Sequence, residues 1–237
     1  MNFNSYDTKS FLENWKKKDL NNKEVKTIFC PSFTELNTTA ELLHNSDSEL
    51  GAQNVYYESN GAYTGEISCR ILKDLGCNWV IIGHSERRAI FGETDEMVCN
   101  KLDKLTSENM YPIVCIGETK DERENGKTEK VLSRQLTVAF ENQKGKNIEN
   151  TIVAYEPVWA IGTGITATID MILEAHQCIR NIFKTNGFNG DDISILYGGS
   201  VTNENAAELS ELSDVDGFLV GGASLDVDKF YSIYNQL

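Results

Sequence analysis

Two titratable residues of this sequence sit where chemistry is usually built. His84 follows Gly83 at the end of the apolar run Trp79 to Ile82 and precedes Ser85-Glu86-Arg87-Arg88, which reads as the start of a short helix. The positive end of a helix dipole beside the ring disfavours imidazolium, so the expected state is a neutral imidazole. Such a ring donates a hydrogen bond to a carbonyl and passes protons between neighbouring oxygens. Glu156 ends a second apolar run, Thr151 to Tyr155, and leads into Pro157-Val158-Trp159-Ala160-Ile161-Gly162-Thr163-Gly164. Most glutamates are solvated surface groups. A carboxylate followed by a Pro-anchored segment with an aromatic residue and a Gly-Thr-Gly end is instead the composition of a general base beneath a short lid. A lid keeps water from the base and from a reactive intermediate. His44 and His176 fall in helical stretches and are read as structural.

Two glycine pairs add a third function. Tyr197-Gly198-Gly199-Ser200-Val201 and Gly221-Gly222-Ala223-Ser224-Leu225 each end an apolar run and lead into a helical stretch. One Gly-Gly is usually a turn. Two on successive strand ends describe a cradle of backbone N–H groups for a phosphate. The overall balance, 22 Lys and Arg against 36 Asp and Glu for a net charge of -14, argues against a nucleic-acid surface, which needs clustered cations. It leaves local anion binding intact, because helix N-termini carry partial positive charge whatever the net charge. The six cysteines (Cys30, Cys69, Cys77, Cys99, Cys115 and Cys178) include no Cys-x-x-Cys pair and have no histidine at metal-ligand spacing, so free thiols and no metal site are expected. No run of about 18 apolar residues occurs, and the polar N-terminal stretch has no signal-type apolar core. A soluble, cytoplasmic protein is the expectation.

The elements that would position these residues alternate regularly. Val25 to Cys30, Gly51 to Val55, Trp79 to Ile82, Pro112 to Ile116, Thr151 to Tyr155, Ile193 to Tyr197 and Gly217 to Val220 read as short strands, mostly apolar on both faces as helix-covered strands are. Between them lie stretches of helical spacing such as Val98, Leu102 and Leu105. Parallel strands with helical crossovers follow, in one domain spanning 1–237. A closed parallel barrel wants eight strands in about 250 residues, and only seven runs are found. The chain opens in a helix, with Asp7 or Thr8 as N-cap and Phe11, Leu12 and Trp15 on one face.

Six motifs in order now carry a resemblance: Gly51-Ala52-Gln53-Asn54, Gly83 to Arg88, Cys115 to Thr119, Tyr155 to Gly164, Tyr197 to Val201 and Val220 to Ala223. Over essentially its whole length the chain resembles the triosephosphate isomerases. The resemblance implies a TIM (β/α)8 barrel of class α/β, dihydroxyacetone phosphate and D-glyceraldehyde 3-phosphate as substrates, no cofactor, and a homodimer. It implies Glu156 as the group moving a proton between carbons and His84 as the group polarising the carbonyl. Ser85, Glu86 and Cys115 would support them. Gly162, Ser200, Gly221 and Gly222 would hold the phosphate. The segment Tyr56 to Gly65, with three tyrosines, matches the family loop that inserts into a neighbouring subunit.

The chain departs from the family pattern at its front. Family members begin with a strand ending Asn-x-Lys, followed by Met-Asn; this chain begins at Met1-Asn2. The expected architecture is therefore a barrel without its first strand, and the expectation is that the natural protein starts about a dozen residues earlier, a strand with its flanks. Loss of a preorganised cation costs at least about 10²–10³ in kcat. The alternative reading is thus a catalytically impaired barrel that binds sugar phosphates or protein partners.

Overall fold

The computed structural model describes residues 1–20, 24–161 and 166–237. Its centre is one parallel sheet of seven strands in sequence order: β1 (Ile28–Phe29), β2 (Glu49–Ala52), β3 (Trp79–Ile82), β4 (Tyr111–Ile116), β5 (Ile152–Tyr155), β6 (Ser194–Tyr197) and β7 (Gly217–Phe218). Helices precede, connect and follow them: α1 (Ser5–Trp15), α2 (Leu36–Leu43), α3 (Cys69–Asp74), α4 (Ser85–Phe91), α5 (Asp95–Ser107), α6 (Lys120–Glu124), α7 (Thr128–Ala139), α8 (Ile169–Thr185), α9 (Ala206–Ser210) and α10 (Val227–Tyr234). Among the described residues this is an α/β TIM barrel lacking one strand. The sheet ends at β1 on one side and β7 on the other.

Period-two alternation divides the apolar side chains between two cores. Val80, Ile82, Val114, Ile116, Val153 and Tyr155 face outward into the layer shared with the helices. Trp79, Ile81, Ile113, Cys115 and Ala154 face inward and fill the barrel. Where the sheet is open, the helical layer is continuous. Phe230 of α10 packs on Trp15 of α1 at 5.2 Å between ring centroids and on Phe29 of β1 at 5.6 Å. Aromatic pairs of this kind add about 0.5–1.5 kcal/mol each beyond the area they bury.

Three local expectations are corrected. The N-cap of α1 is Asn4, whose side chain accepts from the Asp7 N–H at 3.0 Å. Starting a turn earlier than Asp7 or Thr8 places Thr8, Phe11, Leu12 and Trp15 at i, i+3, i+4 and i+7 on the buried face. Next, β2 begins at Glu49 and stops at Ala52, before the expected Val55. Its register puts Glu49 opposite Ile28, and Gln53 leaves the ladder to donate its amide to the carbonyls of Cys30 and Met1 at 3.0 and 3.2 Å. Finally, β1 and β7 are shorter than the apolar runs that contain them, because each has a partner strand on one side only.

His176 is structural, as expected. It is fully buried in α8, with Nδ1 2.8 Å from the Asp214 carbonyl. Burial holds its pKa below the ordinary 6.5, aided by the Arg180 guanidinium and opposed by the Asp214 carbonyl and by the Asp216 and Asp214 carboxylates. The unfolded chain therefore binds a proton that the folded chain refuses. Stability should fall as pH drops below about 6.5, by at most about 1.4 kcal/mol per pH unit from this group. His176→Gln should remove that component of the pH dependence in urea unfolding; an unchanged dependence would show that other groups set it.

Candidate active site

β3 ends at Ile82, and the chain turns through Gly83 at φ 70°, with Cys115 O, Val98 and Arg88 all within 3.1 Å of where a Cβ would stand. Left-handed backbone in a crowded place requires glycine. The turn delivers His84 as the N-cap of α4, its Nδ1 accepting the Glu86 N–H at 3.3 Å. A backbone N–H is always the donor, so Nδ1 is bare and Nε2 carries the proton. Nε2 lies 3.0 Å from Glu156 Oε1.

Glu156 is the residue after β5. Its own N–H donates to Ile116 O at 2.7 Å, which continues the β4–β5 ladder by one bond. The side chain is nearly fully buried, and its second oxygen accepts the Ser85 N–H at 3.1 Å. Ser85 thus contributes its main chain at the first turn of α4, where a negative charge is favoured. Cys115 faces inward from β4. Burial, and then the charge of Glu156, hold its thiol well above the usual range, so it stays protonated. Glu86 is exposed, with its carboxylate 3.9 Å from His84 Nδ1.

The balance of influences on the His84 ring differs from the sequence-based expectation. The helix N-terminus does reach the ring, through the Glu86 N–H, but it does not decide the balance. Burial disfavours the imidazolium; the hydrogen bond and charge of Glu156 outweigh it, with smaller contributions from Glu86 and Glu93, and the pKa lies above 6.5. This pairing stabilises the fold fully below 6.5, and its contribution is lost as pH rises through the raised value.

The two glycine pairs differ in kind. Gly221 and Gly222 are exposed, with open space above their α-carbons, and Gly222 opens a 3-10 turn (Gly222–Leu225) whose first N–H groups have no acceptor inside the turn. They suit an anion. Gly198 and Gly199 are crowded: a Cβ on Gly198 would stand 2.9 Å from Glu156 Cγ, and one on Gly199 would stand 2.2 Å from the Tyr197 hydroxyl. Their glycines are required for close packing around Glu156 and Tyr197, a reason the phosphate reading did not supply. Ser200 beside them is half-buried, and its hydroxyl donates to Ala160 O at 3.0 Å, tying β6 to the segment after Glu156. Gly162, together with the Gly-Thr-Gly end of the expected lid, lies outside the described residues.

Other residues of the site gave no sequence signal of a role. Glu118 is fully buried and accepts the Tyr155 hydroxyl at 3.1 Å and the Trp159 indole N–H at 3.2 Å, binding the residues on either side of Glu156. Burial raises its pKa, and those donors and the Arg123 charge only partly offset this. Arg88 donates to the Gly83 carbonyl at 2.7 Å and is itself held by Asp95 at 2.5 Å. Glu118 lies inside the Cys115 to Thr119 motif and Arg88 inside the Gly83 to Arg88 motif, so the motifs marked the places without marking the contacts. Among the described residues, no cluster of three or more His, Cys, Asp or Glu is placed to hold a metal ion.

A carboxylate and an imidazole N–H that meet at the C-terminal ends of barrel strands can move protons, the chemistry that a class of (β/α) barrel carries at that face. The family model described as "Triosephosphate isomerase" matches residues 1–237. A triosephosphate isomerase of Francisella philomiragia is 42% identical over 239 aligned residues, covering all of this chain and 93% of the relative. One of Alkaliphilus oremlandii is 45% identical, covering 94% of this chain and 91% of the relative, and one of Nitrosococcus oceani is 44% identical, covering 98% and 94%. The chain belongs to the triosephosphate isomerase family.

The site geometry makes a direct prediction for the ring. In an NMR titration His84 should show a midpoint above 6.5 in the wild-type chain. In Glu156→Gln, with the carboxylate charge removed and burial left to dominate, the midpoint should fall. An unmoved midpoint would mean that Glu156 does not control the ring.

Proposed function

We propose that this chain, working as one domain, interconverts dihydroxyacetone phosphate and D-glyceraldehyde 3-phosphate. The observation that carries the reading is the meeting of His84 Nε2 and Glu156 Oε1 at 3.0 Å, with the Ser85 N–H on the other carboxylate oxygen. A substrate carbonyl entering between them takes the Nε2 hydrogen bond. Glu156 then removes a proton from the carbon beside that carbonyl, giving an enediolate whose developing charge the imidazole N–H stabilises. His84 moves a proton between the two oxygens, and Glu156 returns its proton to the adjacent carbon. The formula of the substrate is unchanged and the proteins's groups return to their starting states, so the chemistry calls for no redox partner or cofactor.

In this reading Ser85, Glu86 and Cys115 support the pair, and Ser200, Gly221 and Gly222, with Gly162, hold the phosphate. The family of the chain supports the substrate class. The impaired-barrel alternative has no observation in its favour. A homodimer through Tyr56 to Gly65 belongs to the same proposal. Support comes from the base of that loop, tied by the Tyr56 N–H to Ile67 O at 2.8 Å, and from its tyrosines, with Tyr56 stacked on Tyr57 at 4.4 Å and Tyr63 beside it at 4.7 Å. Exposed Ile90 and Phe91 are further apolar surface for a partner copy. No helix among the described residues is long and apolar enough to cross a membrane; a cytoplasmic location, without nucleic-acid or membrane partners, is part of the proposal.

A coupled assay with D-glyceraldehyde 3-phosphate tests it. Glu156→Gln should lower kcat by roughly 10²–10⁴, the usual range for a general base, with a smaller change in KM. Wild-type turnover in that variant would overturn the assignment of the base.

A further inference from the structure

Main-chain groups of a parallel strand point alternately to its two neighbours. Ile116 O accepts the Glu156 N–H, so Ile116 faces β5, and the next residue, Gly117, faces the other way, toward β3. β3 is no longer there. Its pairing with β4 ends at Ile82 opposite Val114, after which the chain turns through Gly83 into α4. Gly117 would be left with a part-buried N–H and C=O and no strand to bind, where each fully buried unpaired group would cost about 1–3 kcal/mol.

One side chain takes both groups. The Gly117 N–H donates to Gln135 Oε1 at 2.9 Å, and Gln135 Nε2 donates to Gly117 O at 3.2 Å. Gln135 comes from α7 and is 4% exposed, so its amide has little access to water as an alternative partner. A primary carboxamide presents one donor and one acceptor side by side, as a strand residue does. On its other side Gly117 meets Glu156 so closely that a Cβ would stand 1.7 Å from the Glu156 carbonyl oxygen. The next residue continues the contact: Glu118 O accepts the Val158 N–H at 3.1 Å.

We infer that Gln135 is a positioning residue for Glu156: its carboxamide replaces the departed β3 and prolongs β4 by one residue, which fixes the peptide against which the base is seated. The inference rests on the reading of Glu156 as the base. Gln135 touches no reacting atom. Its effect passes through Gly117 to the Glu156 backbone, and from there to the distance between the carboxylate and His84.

Gln135→Leu keeps the bulk and removes both hydrogen bonds; Gln135→Glu keeps an acceptor for the Gly117 N–H and loses the donor to its carbonyl. Both are compared with wild type for kcat, KM, melting temperature and the NMR midpoint of His84. A displaced base costs roughly 10- to 100-fold, so kcat should fall by that much in Gln135→Leu while KM stays within about threefold, because neither hydrogen bond of Gln135 goes to a residue proposed to hold the phosphate. The His84 midpoint should move down as the Glu156 charge withdraws, with Glu86 and Glu93 unchanged. Gln135→Glu should fall between wild type and Gln135→Leu, and it is judged by the same two readouts should the leucine variant not fold. A lowered melting temperature with kcat and the His84 midpoint both unchanged would reduce Gln135 to a stabilising residue and overturn the inference. Full turnover in Glu156→Gln would instead sink the base reading, and the His84 midpoint alone would then decide whether Gln135 seats the carboxylate.

Discussion

The buried carboxylate of Glu156 is the constraint around which the site is arranged. An ionised group removed from water is costly unless hydrogen bonds replace its solvation. Here the replacements are the first turn of α4 and the ring of His84. Both follow β3, while Glu156 itself follows β5, so the carboxylate joins the ends of those two strands across β4. Both of its oxygens are engaged by these groups, and a substrate must exchange with them. A carboxylate held this way is shielded from water and oriented, as proton abstraction from carbon, the role proposed for it, demands.

Close backbone approach is the second requirement, and it explains glycines that phosphate binding alone does not. Gly117 and Gly198 pack against Glu156 from opposite sides, one against its carbonyl and one against its side chain. Any larger residue at Gly117 would collide with main chain, which has no cheap way to move. The strand ends around Glu156 therefore form a seat whose walls are peptide groups, stiffer than a seat made of side chains.

Much of this was legible in the sequence, for a physical reason. Strands buried on both faces are apolar runs, and Trp79 to Ile82, Thr151 to Tyr155 and Ile193 to Tyr197 stand out from the helices between them. Function at strand ends then pointed to His84 and Glu156. What escaped depended on three-dimensional proximity or on fine competition. Asn4 and Asp7 are both competent caps, and only the buried face of the whole helix chooses between them. Glu49 is a polar strand residue because its place is set by pairing with Ile28. The ring of His84 lies between the α4 N-terminus, next to it in the chain, and the Glu156 carboxylate, far from it in the chain, and the sequence shows the dipole alone. Gln135 is one amide among many until α7 is laid against the end of β4.

The open side of the sheet bears unequally on the two halves of the site. The proton-transfer pair stands on β3 and β5, joined through β4 by ladders of four paired residues each. Gly221 and Gly222 follow β7, which pairs with β6 through only two residues and, among the described residues, has no neighbour in the sheet on its other side. Cooperative ladders transmit position through their bonds, so His84 and Glu156 are fixed by the best-paired part of the barrel. The anion positions after β7 depend more on the helical layer, where the aromatic packing of α10 on α1 holds that edge in place. The placement of the His84 and Glu156 pair and that of Gly221 and Gly222 thus draw on different parts of one sheet.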